Sequence, residues 1–271
     1  ATTTTNSFEG YNFPIGLENC KGGNCPTQTL VDAYEMQATG LRPDEMEDYD
    51  PTKPYYEGRD KRFGLTIAKN GDEKWPNWNT VPLQTYQGGL NAEPLSGGTP
   101  TGYYLKKYCQ TAVDLRAGTA SKTYHSWITF RFGEFYLNYA EAVYKYLGGP
   151  DKTDSEFTTS AVDAIKIVRT RAEMPGFPTN MTNDAFWKKY QNERMVELAF
   201  EGHRFWDVRR WKEADKHFKN IVEMKITKNG DGTYTYERKT KNRIWDDKMY
   251  FFPIPQSERS KNPNLEQNPG W

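Results

Sequence analysis

The sequence has 271 residues, and its 36 lysines and arginines are balanced by 36 aspartates and glutamates. Zero net charge argues against a nucleic-acid-binding protein, which needs a surplus of basic residues to neutralise phosphates, and against a polybasic membrane-surface protein. Aromatic residues make up 15% of the chain. Because tyrosine and tryptophan serve in aromatic cores and in sugar-stacking surfaces alike, composition leaves these two uses open.

The three cysteines are too few for a disulfide scaffold in a chain of this length. Cys20 and Cys25 flank a short glycine-containing loop and are either free thiols or a local disulfide, whereas Cys109 is expected to be a buried free thiol. No histidine lies at a metal-ligand spacing from them, so we expect no metal site and no cofactor. The chain has no apolar run of the ~18 residues that a spanning helix requires. Its polar first five residues lack the basic start of a signal peptide, and we expect the sequence to begin within a longer protein.

Residues 1–122 are rich in glycine, proline, asparagine and aspartate, and only residues 29–36 and 103–110 are predicted to form regular elements. Such a segment is typical of long loops that carry a binding surface on a rigid scaffold, although a plain connecting layer would have the same composition. We predict one domain in two parts. Residues 1–122 would form a loop-rich ligand-side region, and residues 123–271 a helical scaffold.

The second part begins with two predicted helices. The first ends at Gly148, Gly149 and Pro150, since glycine suits the left-handed position after a helix and proline cannot continue it. The second follows a cap at Asp154 or Ser155. Alanines on both apolar stripes would let the helices approach closely, as in a tetratricopeptide hairpin, although no clean repeat of about 34 residues is present. The stripes are Phe132, Phe135, Tyr136, Tyr139, Ala140, Val143 and Leu147, then Ala161, Ala164, Ile165, Val168 and Ala172.

A third helix is predicted over residues 183–201, ended by Gly202, and a fourth over residues 203–214. Residues 221–226 and 233–238 then alternate apolar and polar side chains around the sequence Asn-Gly-Asp-Gly. Asn-Gly and Asp-Gly supply the positive φ angles of a tight turn, so this pattern predicts a β-hairpin. The remaining residues are rich in proline and asparagine and are expected to wrap over the helices.

Six segments resemble, in the same order, the SusD/RagB family. The most specific are RFGEFYLNYAEA at residues 131–142, ERMVELAFEGHRFWDVRRW at residues 193–211 and YFFPIPQSERSKNPNLEQNPGW at residues 250–271. The others are PTQTLVDAYEM, YDPTKPYYEGRDKRFGLTIAKNG and TGYYLKKY in the first half of the chain. Single matches of this type are weak, but a collinear series is specific, and the resemblance covers essentially the whole chain.

The resemblance implies a mainly α, tetratricopeptide-like scaffold with a large irregular loop layer and a small β-hairpin. Members of the family are longer and carry a lipidated cysteine in an N-terminal portion, so the chain would correspond to the C-terminal half. The resemblance also implies a surface-exposed outer-membrane lipoprotein of Bacteroidetes. It would bind an oligosaccharide or polysaccharide and pass it to a SusC-like TonB-dependent transporter. Contact with the membrane would be made only through the lipid anchor, which is expected to lie outside this sequence.

Sugar binding requires aromatic rings that stack on the apolar face of a pyranose and polar side chains that pair with its hydroxyls. The sequence KWPNWNTVPLQTY at residues 74–86 supplies both, and its prolines are expected to hold the segment extended with its rings exposed. A role of these rings in the core explains the pattern equally well. The predicted ligand-binding residues are Trp75, Asn77, Trp78, Asn79, Tyr86 and, more weakly, Tyr11, with Phe13, Tyr55 and Tyr56 as further candidates.

The sequence ELAFEGHRFWDVRRW places Glu197, Glu201, His203, Arg204 and Asp207 close together, which is also typical of an active site. We interpret the segment instead as a buried ion-pair network that fixes helix packing. A glycosidase would need two carboxylates about 5–10 Å apart across a bound sugar, and the acidic run at residues 44–50 is more typical of a solvated surface. We therefore predict a non-catalytic glycan-binding protein.

The alternative is a peptide-capture or protein-interaction scaffold. Exposed tryptophans in one cleft would favour sugar as the ligand, whereas an apolar groove with basic rims would favour peptide.

Overall fold

A computed structural model describes residues 2–271 of the chain, with side chains from residue 4 onward. Within this range the fold is mainly helical, with three small antiparallel sheets that pair β1 with β4, β2 with β3 and β5 with β6. The helices are α1 (Ser7–Asn12), α2 (Gln28–Ala33), α3 (Lys61–Thr66), α4 (Phe132–Leu147), α5 (Ala161–Arg171), α6 (Asn183–Glu197), α7 (Arg204–Arg210), α8 (Ala214–Phe218) and α9 (Gln256–Lys261). The strands are β1 (Thr2–Thr5), β2 (Ile67–Ala68), β3 (Tyr104–Leu105), β4 (Thr123–Ser126), β5 (Asn220–Lys228) and β6 (Tyr234–Asn242).

The predicted pair of helices is confirmed as α4 and α5, which pack against each other through their alanines. Gly148 ends α4 in the predicted left-handed conformation, with a φ of 71°. The predicted cap of α5 is wrong. Ser160 caps the helix and accepts a hydrogen bond from the backbone N–H of Asp163 at 3.1 Å. Asp154 instead closes a turn, because its Oδ1 accepts hydrogen bonds from two backbone N–H groups that follow it.

The apolar stripe predicted on α5 is buried as expected, but the stripe predicted on α4 is only partly right. The buried face of α4 is formed by Leu137, Ala140 and Val143. Phe132 and Phe135 are 78% and 57% exposed, so their inclusion in the stripe is wrong. The physical reason is the rotation of α4, which turns Leu137 towards α5 and α6 and leaves the two phenylalanines at the outer edge.

The chain from α6 to α8 follows the predicted order of helices with different boundaries. The helix α6 ends at Glu197, four residues before the predicted end, and Phe200 and Gly202 then adopt positive φ angles of 61° and 83°. The single helix predicted after Gly202 is divided into α7 and α8, because Lys212 is also left-handed, with a φ of 59°. Glycine at 202 thus lies in the turn between two helices.

The predicted hairpin is confirmed and is longer than predicted, with residues 220–228 paired to residues 234–242. The turn is closed by a 2.8 Å hydrogen bond from the backbone N–H of Asn229 to the carbonyl oxygen of Thr233. Gly232 in this turn has a φ of 87°. The Asn-Gly-Asp-Gly sequence therefore forms the predicted turn, although only Gly232, and not Asn229 or Gly230, supplies a positive φ angle.

Three hydrophobic clusters hold these elements together. The first cluster joins α4, α5 and α6. The second joins α2, α3 and β2 to α6 and the hairpin, and includes Val31, Ile67, Val196 and Ile226. The third lies within residues 1–122 and includes Phe13, Trp75, Leu83 and Tyr104. The loop-rich segment therefore has a core of its own, and the second cluster fixes it to the helices.

All three cysteines are free thiols. Cys20 is buried, and burial raises the pKa of its thiol to about 12. Cys109 is half-buried and not fully buried as predicted. Within residues 2–271, no helix is long and apolar enough to cross a membrane, and no group of three or more His, Cys, Asp or Glu side chains is placed to hold a metal ion.

Candidate functional site

The structure corrects the predicted exposure of Trp75. Its side chain is 4% exposed and lies in the third cluster, where its ring meets that of Phe13 edge-on at 5.5 Å between centroids. The proline-flanked loop was expected to hold the ring in solvent. It does not, because the loop layer has its own core, and a tryptophan ring is the largest apolar group available to fill it. Trp75 cannot stack on a sugar in this conformation.

Of the two asparagines predicted to bind a ligand, Asn79 is buried and Asn77 is exposed. Asn79 is buried, and its side chain donates a hydrogen bond to the carbonyl oxygen of Trp75 and accepts one from the backbone N–H of Val81, both at 3.2 Å. Its amide therefore stabilises the turn after Trp75 and is not free to reach a ligand in this conformation. Asn77 is exposed, while its backbone N–H donates to Thr111 at 3.0 Å. A ligand contact of Asn77 stays a prediction.

Trp78 is half-buried at the edge of the third cluster. Its Nε1 donates a hydrogen bond to the carbonyl oxygen of Val113 at 2.8 Å. The guanidinium of Arg116 lies over its ring, 5.4 Å from the centroid. One face of Trp78 is thus covered by the guanidinium of Arg116, and its stacking role also stays a prediction.

Tyr86 belongs to a row of four tyrosine rings that we call the tyrosine row, formed by Tyr55, Tyr86, Tyr234 and Tyr236. Ring centroids are separated by 5.6 Å between Tyr86 and Tyr234, 6.3 Å between Tyr234 and Tyr236, and 6.0 Å between Tyr236 and Tyr55. Burial and the hydrogen bond with Tyr236 raise the pKa of Tyr55, so this phenol stays neutral. Sequence reasoning missed the two tyrosines of β6, although their spacing of two on a predicted strand places them on one face.

Tyr11 is the predicted residue whose ring is most accessible, with 58% of the side chain exposed. It lies at the end of α1 and lines a shallow pocket of about 280 Å³, which we call the Tyr11 pocket. Lys21 lies over its ring with Nζ 4.6 Å from the centroid. The other lining residues are Asn6, Ser7, Gly10, Asn19, Lys21, Leu115 and Ala120.

The side-chain amides of Asn6 and Asn19 are fixed by hydrogen bonds that their NH₂ groups donate. Asn6 donates to the carbonyl oxygen of Ser121 at 2.9 Å, and Asn19 donates to that of Leu115 at 2.7 Å. Their side-chain oxygens accept no hydrogen bond from the described part of the chain, and both residues line the pocket together with Tyr11. The loop at residues 113–116 lines the Tyr11 pocket through Leu115 and contacts Trp78 through Val113 and Arg116. Tyr11 and Trp78 therefore flank one loop, whereas Tyr86 lies in the tyrosine row.

The charged segment forms an ion-pair network whose central carboxylates are Glu193, Glu197 and Glu201. The prediction is right for Glu197, Glu201 and Asp207 and wrong for Arg204, whose side chain donates to His217 and forms no ion pair within the described chain. Glu193 binds Arg169 of α5 at 2.6 Å and Arg62 of α3 at 2.8 Å. The other pairs join Arg62, Arg131 and Arg171 to Glu197, Arg131 and Lys107 to Glu201, Arg169 and Lys189 to Glu35, and Arg194 and Arg210 to Asp207. The network joins α6 to α3, α5 and the start of α4.

Burial by itself would raise the pKa of Glu193, but the charges of Arg62 and Arg169 outweigh it and hold the pKa below its ordinary value. Arginine neighbours lower the pKa values of Glu197 and Glu201 in the same way, against the opposing effect of burial. All three side chains are therefore ionised carboxylates that are paired with arginine or lysine.

The family model of the SusD family matches residues 1–271. The chain belongs to the SusD family. The predicted mainly α, tetratricopeptide-like scaffold is confirmed by solved structures with the same fold. A SusD-like protein from Bacteroides fragilis superposes with a TM-score of 0.74 at 27% identity, over 96% of this chain and 51% of that protein.

Two further solved structures of this SusD-family fold are similar. A SusD-like carbohydrate binding protein from Bacteroides fragilis has a TM-score of 0.68 at 23% identity, over 98% of this chain and 53% of its own. A SusD superfamily protein from Bacteroides vulgatus has a TM-score of 0.54 at 20% identity, over 91% of this chain and 44% of its own. The chain thus spans about half the length of these relatives. No curated protein sequence matches it significantly.

Proposed function

We propose that the chain binds a glycan without catalysing a reaction, and that residues 1–122 carry the binding surface. The observation that carries this proposal is the Tyr11 pocket, which is lined by an exposed tyrosine and by two asparagines whose side-chain NH₂ groups are bonded elsewhere. Membership of the SusD family supports it, as does the description of one similar structure as a carbohydrate binding protein.

The chemistry of the Tyr11 pocket suits a pyranose. The C–H face of the sugar would stack on the ring of Tyr11, and hydroxyls would donate to the free side-chain oxygens of Asn6 and Asn19. Lys21 would donate to a ring or hydroxyl oxygen, and its cation already lies at the ring of Tyr11. A shallow site of this size holds one sugar unit and leaves the rest of an oligosaccharide free to run along the loop layer.

Longer glycans would also meet the remaining predicted residues. Asn77 and the partly covered Trp78 lie across the loop at residues 113–116 from Tyr11, and Tyr86 offers the tyrosine row as a second aromatic surface. We propose that these residues add contacts for an extended chain.

In the cell we place the protein at the outer membrane as a surface-exposed lipoprotein. It would receive oligosaccharide on the loop layer and deliver it to a SusC-like TonB-dependent transporter. Membership of the SusD family supports this setting.

The absence of catalysis is proposed from the state of the carboxylates. Glycoside hydrolysis needs a protonated carboxylic acid and a second carboxylate on either side of the sugar. In the ion-pair network each carboxylate binds arginine or lysine, and the pKa of Glu193 is lowered, which is the opposite of what a general acid requires.

A second candidate function, peptide capture, is favoured by one observation. A cavity between α6, α7 and the hairpin is apolar and has arginines on its wall, which is the type of groove expected for peptides and not for sugars.

The glycan proposal is tested with Tyr11→Ala, using Tyr146→Ala on α4 as the matched control, since Tyr146 is also an exposed tyrosine but lies on the helical scaffold. Stacking on one ring contributes on the order of 1–3 kcal/mol, by analogy with nucleobases. A glycan array first selects the oligosaccharide, and isothermal titration calorimetry then measures its affinity. We expect about tenfold weaker binding for Tyr11→Ala and unchanged binding for Tyr146→Ala.

Full affinity in Tyr11→Ala would contradict the proposed site, and equal losses in both variants would show that the effect is not local. Chromatography of the same oligosaccharide after prolonged incubation tests the second part of the proposal. New, shorter products would contradict a non-catalytic role.

A further inference from the structure

A cavity of about 410 Å³ lies between the start of α2, the end of α6, α7, α8 and the start of β5. Its apolar wall is formed by Leu30, Met195, Leu198, Phe205, Phe218 and Ile221. Arg204 and Arg243 also line it, and none of the described residues on its wall is an aspartate or a glutamate. This space, which we call the Arg204 cavity, is therefore both apolar and cationic.

Arg204 has an incomplete set of partners. Its Nη2 donates to Nδ1 of His217 at 3.1 Å. Because arginine only donates, Nδ1 of His217 is the acceptor and the imidazole proton is on Nε2, which lies 3.5 Å from Oε2 of Glu213. Nη1 of Arg204 is buried and has no acceptor within residues 2–271. Burial lowers the pKa of Arg204 to about 10, and the charges of Asp207 and Glu213 offset this only in part.

The arginines of the ion-pair network differ from Arg204, because each contacts at least one carboxylate. The carboxylate of α7 itself, Asp207, is occupied by Arg194 and Arg210 at 2.7 and 2.9 Å. A buried charged donor without an acceptor is strongly unfavourable. The fold thus holds a guanidinium that its own carboxylates do not satisfy, on the wall of an apolar cavity.

A second observation lies on the other side of Arg204. A neighbouring cavity of about 340 Å³ contains Asn192, whose side chain is 8% exposed. Its Nδ2 donates to the carbonyl oxygen of Ala33 at 2.8 Å, whereas its Oδ1 has no donor in the described chain. The two cavities share Thr29, Met195, Arg204 and His217. An unpaired donor and an unpaired acceptor therefore line adjoining spaces.

We propose that the Arg204 cavity binds a carboxylate that is attached to an apolar group. The apolar group fills the space between Leu198 and Phe218, and the carboxylate accepts the hydrogen bonds that Nη1 of Arg204 lacks. Arg243 at the rim adds a second cation, and a donor on the ligand reaches Asn192. Both a free aryl-alkyl acid and the C-terminal residue of a peptide have this chemistry. The inference does not depend on the glycan proposal, because the Arg204 cavity and the Tyr11 pocket share no lining residue.

The test compares N-acetyl-L-phenylalanine with N-acetyl-L-phenylalaninamide on the unaltered chain by isothermal titration calorimetry. The two probes differ only at the terminal group, which is a charged carboxylate in one and a neutral carboxamide in the other. A hydrogen bond to a charged acceptor should make the acid bind at least about tenfold more tightly. Arg204→Gln should lose most of this preference, and only the smaller contribution of Arg243 at the rim should remain. Arg116→Gln, which removes an arginine outside the cavity that pairs with Asp114 at 2.7 Å, should keep the preference.

The comparison on the unaltered chain needs no variant, so the proposal stays testable if Arg204→Gln does not fold. Equal affinity for acid and amide, or no binding of either at millimolar concentration, would overturn it. An undiminished preference for the acid in a folded Arg204→Gln protein would do the same. Two further probes separate the sources of the ligand: tighter binding of 3-phenylpropionate supports a free acid, and tighter binding of the peptide Ala-Ala-Ala-Phe supports a polypeptide C-terminus.

Discussion

Replacing Glu193 with glutamine tests whether the ion-pair network stabilises the fold. The side chain of Glu193 is 2% exposed, and it binds Arg169, which is 1% exposed, at 2.6 Å and Arg62 at 2.8 Å. Breaking a buried ion pair by removing one partner costs roughly 3–5 kcal/mol, because an uncompensated charge is left inside. Both arginines keep another carboxylate, so we expect the lower end of this range, about 3 kcal/mol.

The free energy of unfolding is measured by urea titration followed by circular dichroism, with the slope of the transition checked for constancy. Glu173→Gln is the matched control. Glu173 pairs with Lys61 across two exposed side chains, and an exposed pair contributes about 0–1 kcal/mol. If Glu193→Gln loses no more stability than Glu173→Gln, the network does not stabilise the packing of α3, α5 and α6.

The lowered pKa of Glu193 predicts that the effect of this substitution on stability depends on pH. The pKa of Glu193 lies below its ordinary value of 4.5 in the folded chain, so its contribution is complete above about pH 4.5 and is lost as the pH falls through the folded pKa. The difference in stability between the unaltered protein and Glu193→Gln should therefore be constant near neutral pH and shrink below about pH 4.5. A difference that grows on acidification would contradict the lowered pKa.

Two further predictions concern stability. Trp75→Ala should lower the free energy of unfolding by about 3–5 kcal/mol, as for other large buried aromatic side chains, and a loss below about 1 kcal/mol would mean that its ring is not in the core. Gly202→Val should cost about 1–3 kcal/mol, because a β-branched residue resists a φ of 83°, whereas Gly202→Asn should cost less, since asparagine tolerates this conformation. Urea titration measures both, and equal stability of the valine and asparagine variants would contradict the second prediction.

The sequence by itself determined the features that depend on neighbouring residues. Gly148 ends α4 because glycine adopts a positive φ without steric cost. The Asn-Gly-Asp-Gly sequence forms the turn of the hairpin for the same reason. The stripe of α5 is buried as the helical period requires. The collinear motifs also identify the SusD family without the tertiary structure.

Only the tertiary structure decided which side chains are buried and which converge. Trp75 and Asn79 occupy a loop that looks exposed in sequence, yet the third cluster encloses them. Phe132 lies on a stripe with helical spacing, but the rotation of α4 leaves it in solvent. The reason is that burial depends on contacts between segments far apart in the chain, and local spacing does not encode these contacts.

The meeting of side chains from distant segments also depends on the tertiary structure. The tyrosine row collects rings from three separate segments, and two of its members were not among the predicted site residues. Glu193 finds its partners 24 and 131 residues away along the chain. The unpaired Nη1 of Arg204 is recognisable only when every neighbouring carboxylate has been placed. A motif shows which charges are present, whereas the packing of α6 against α3, α5 and α7 decides which of them remain unsatisfied.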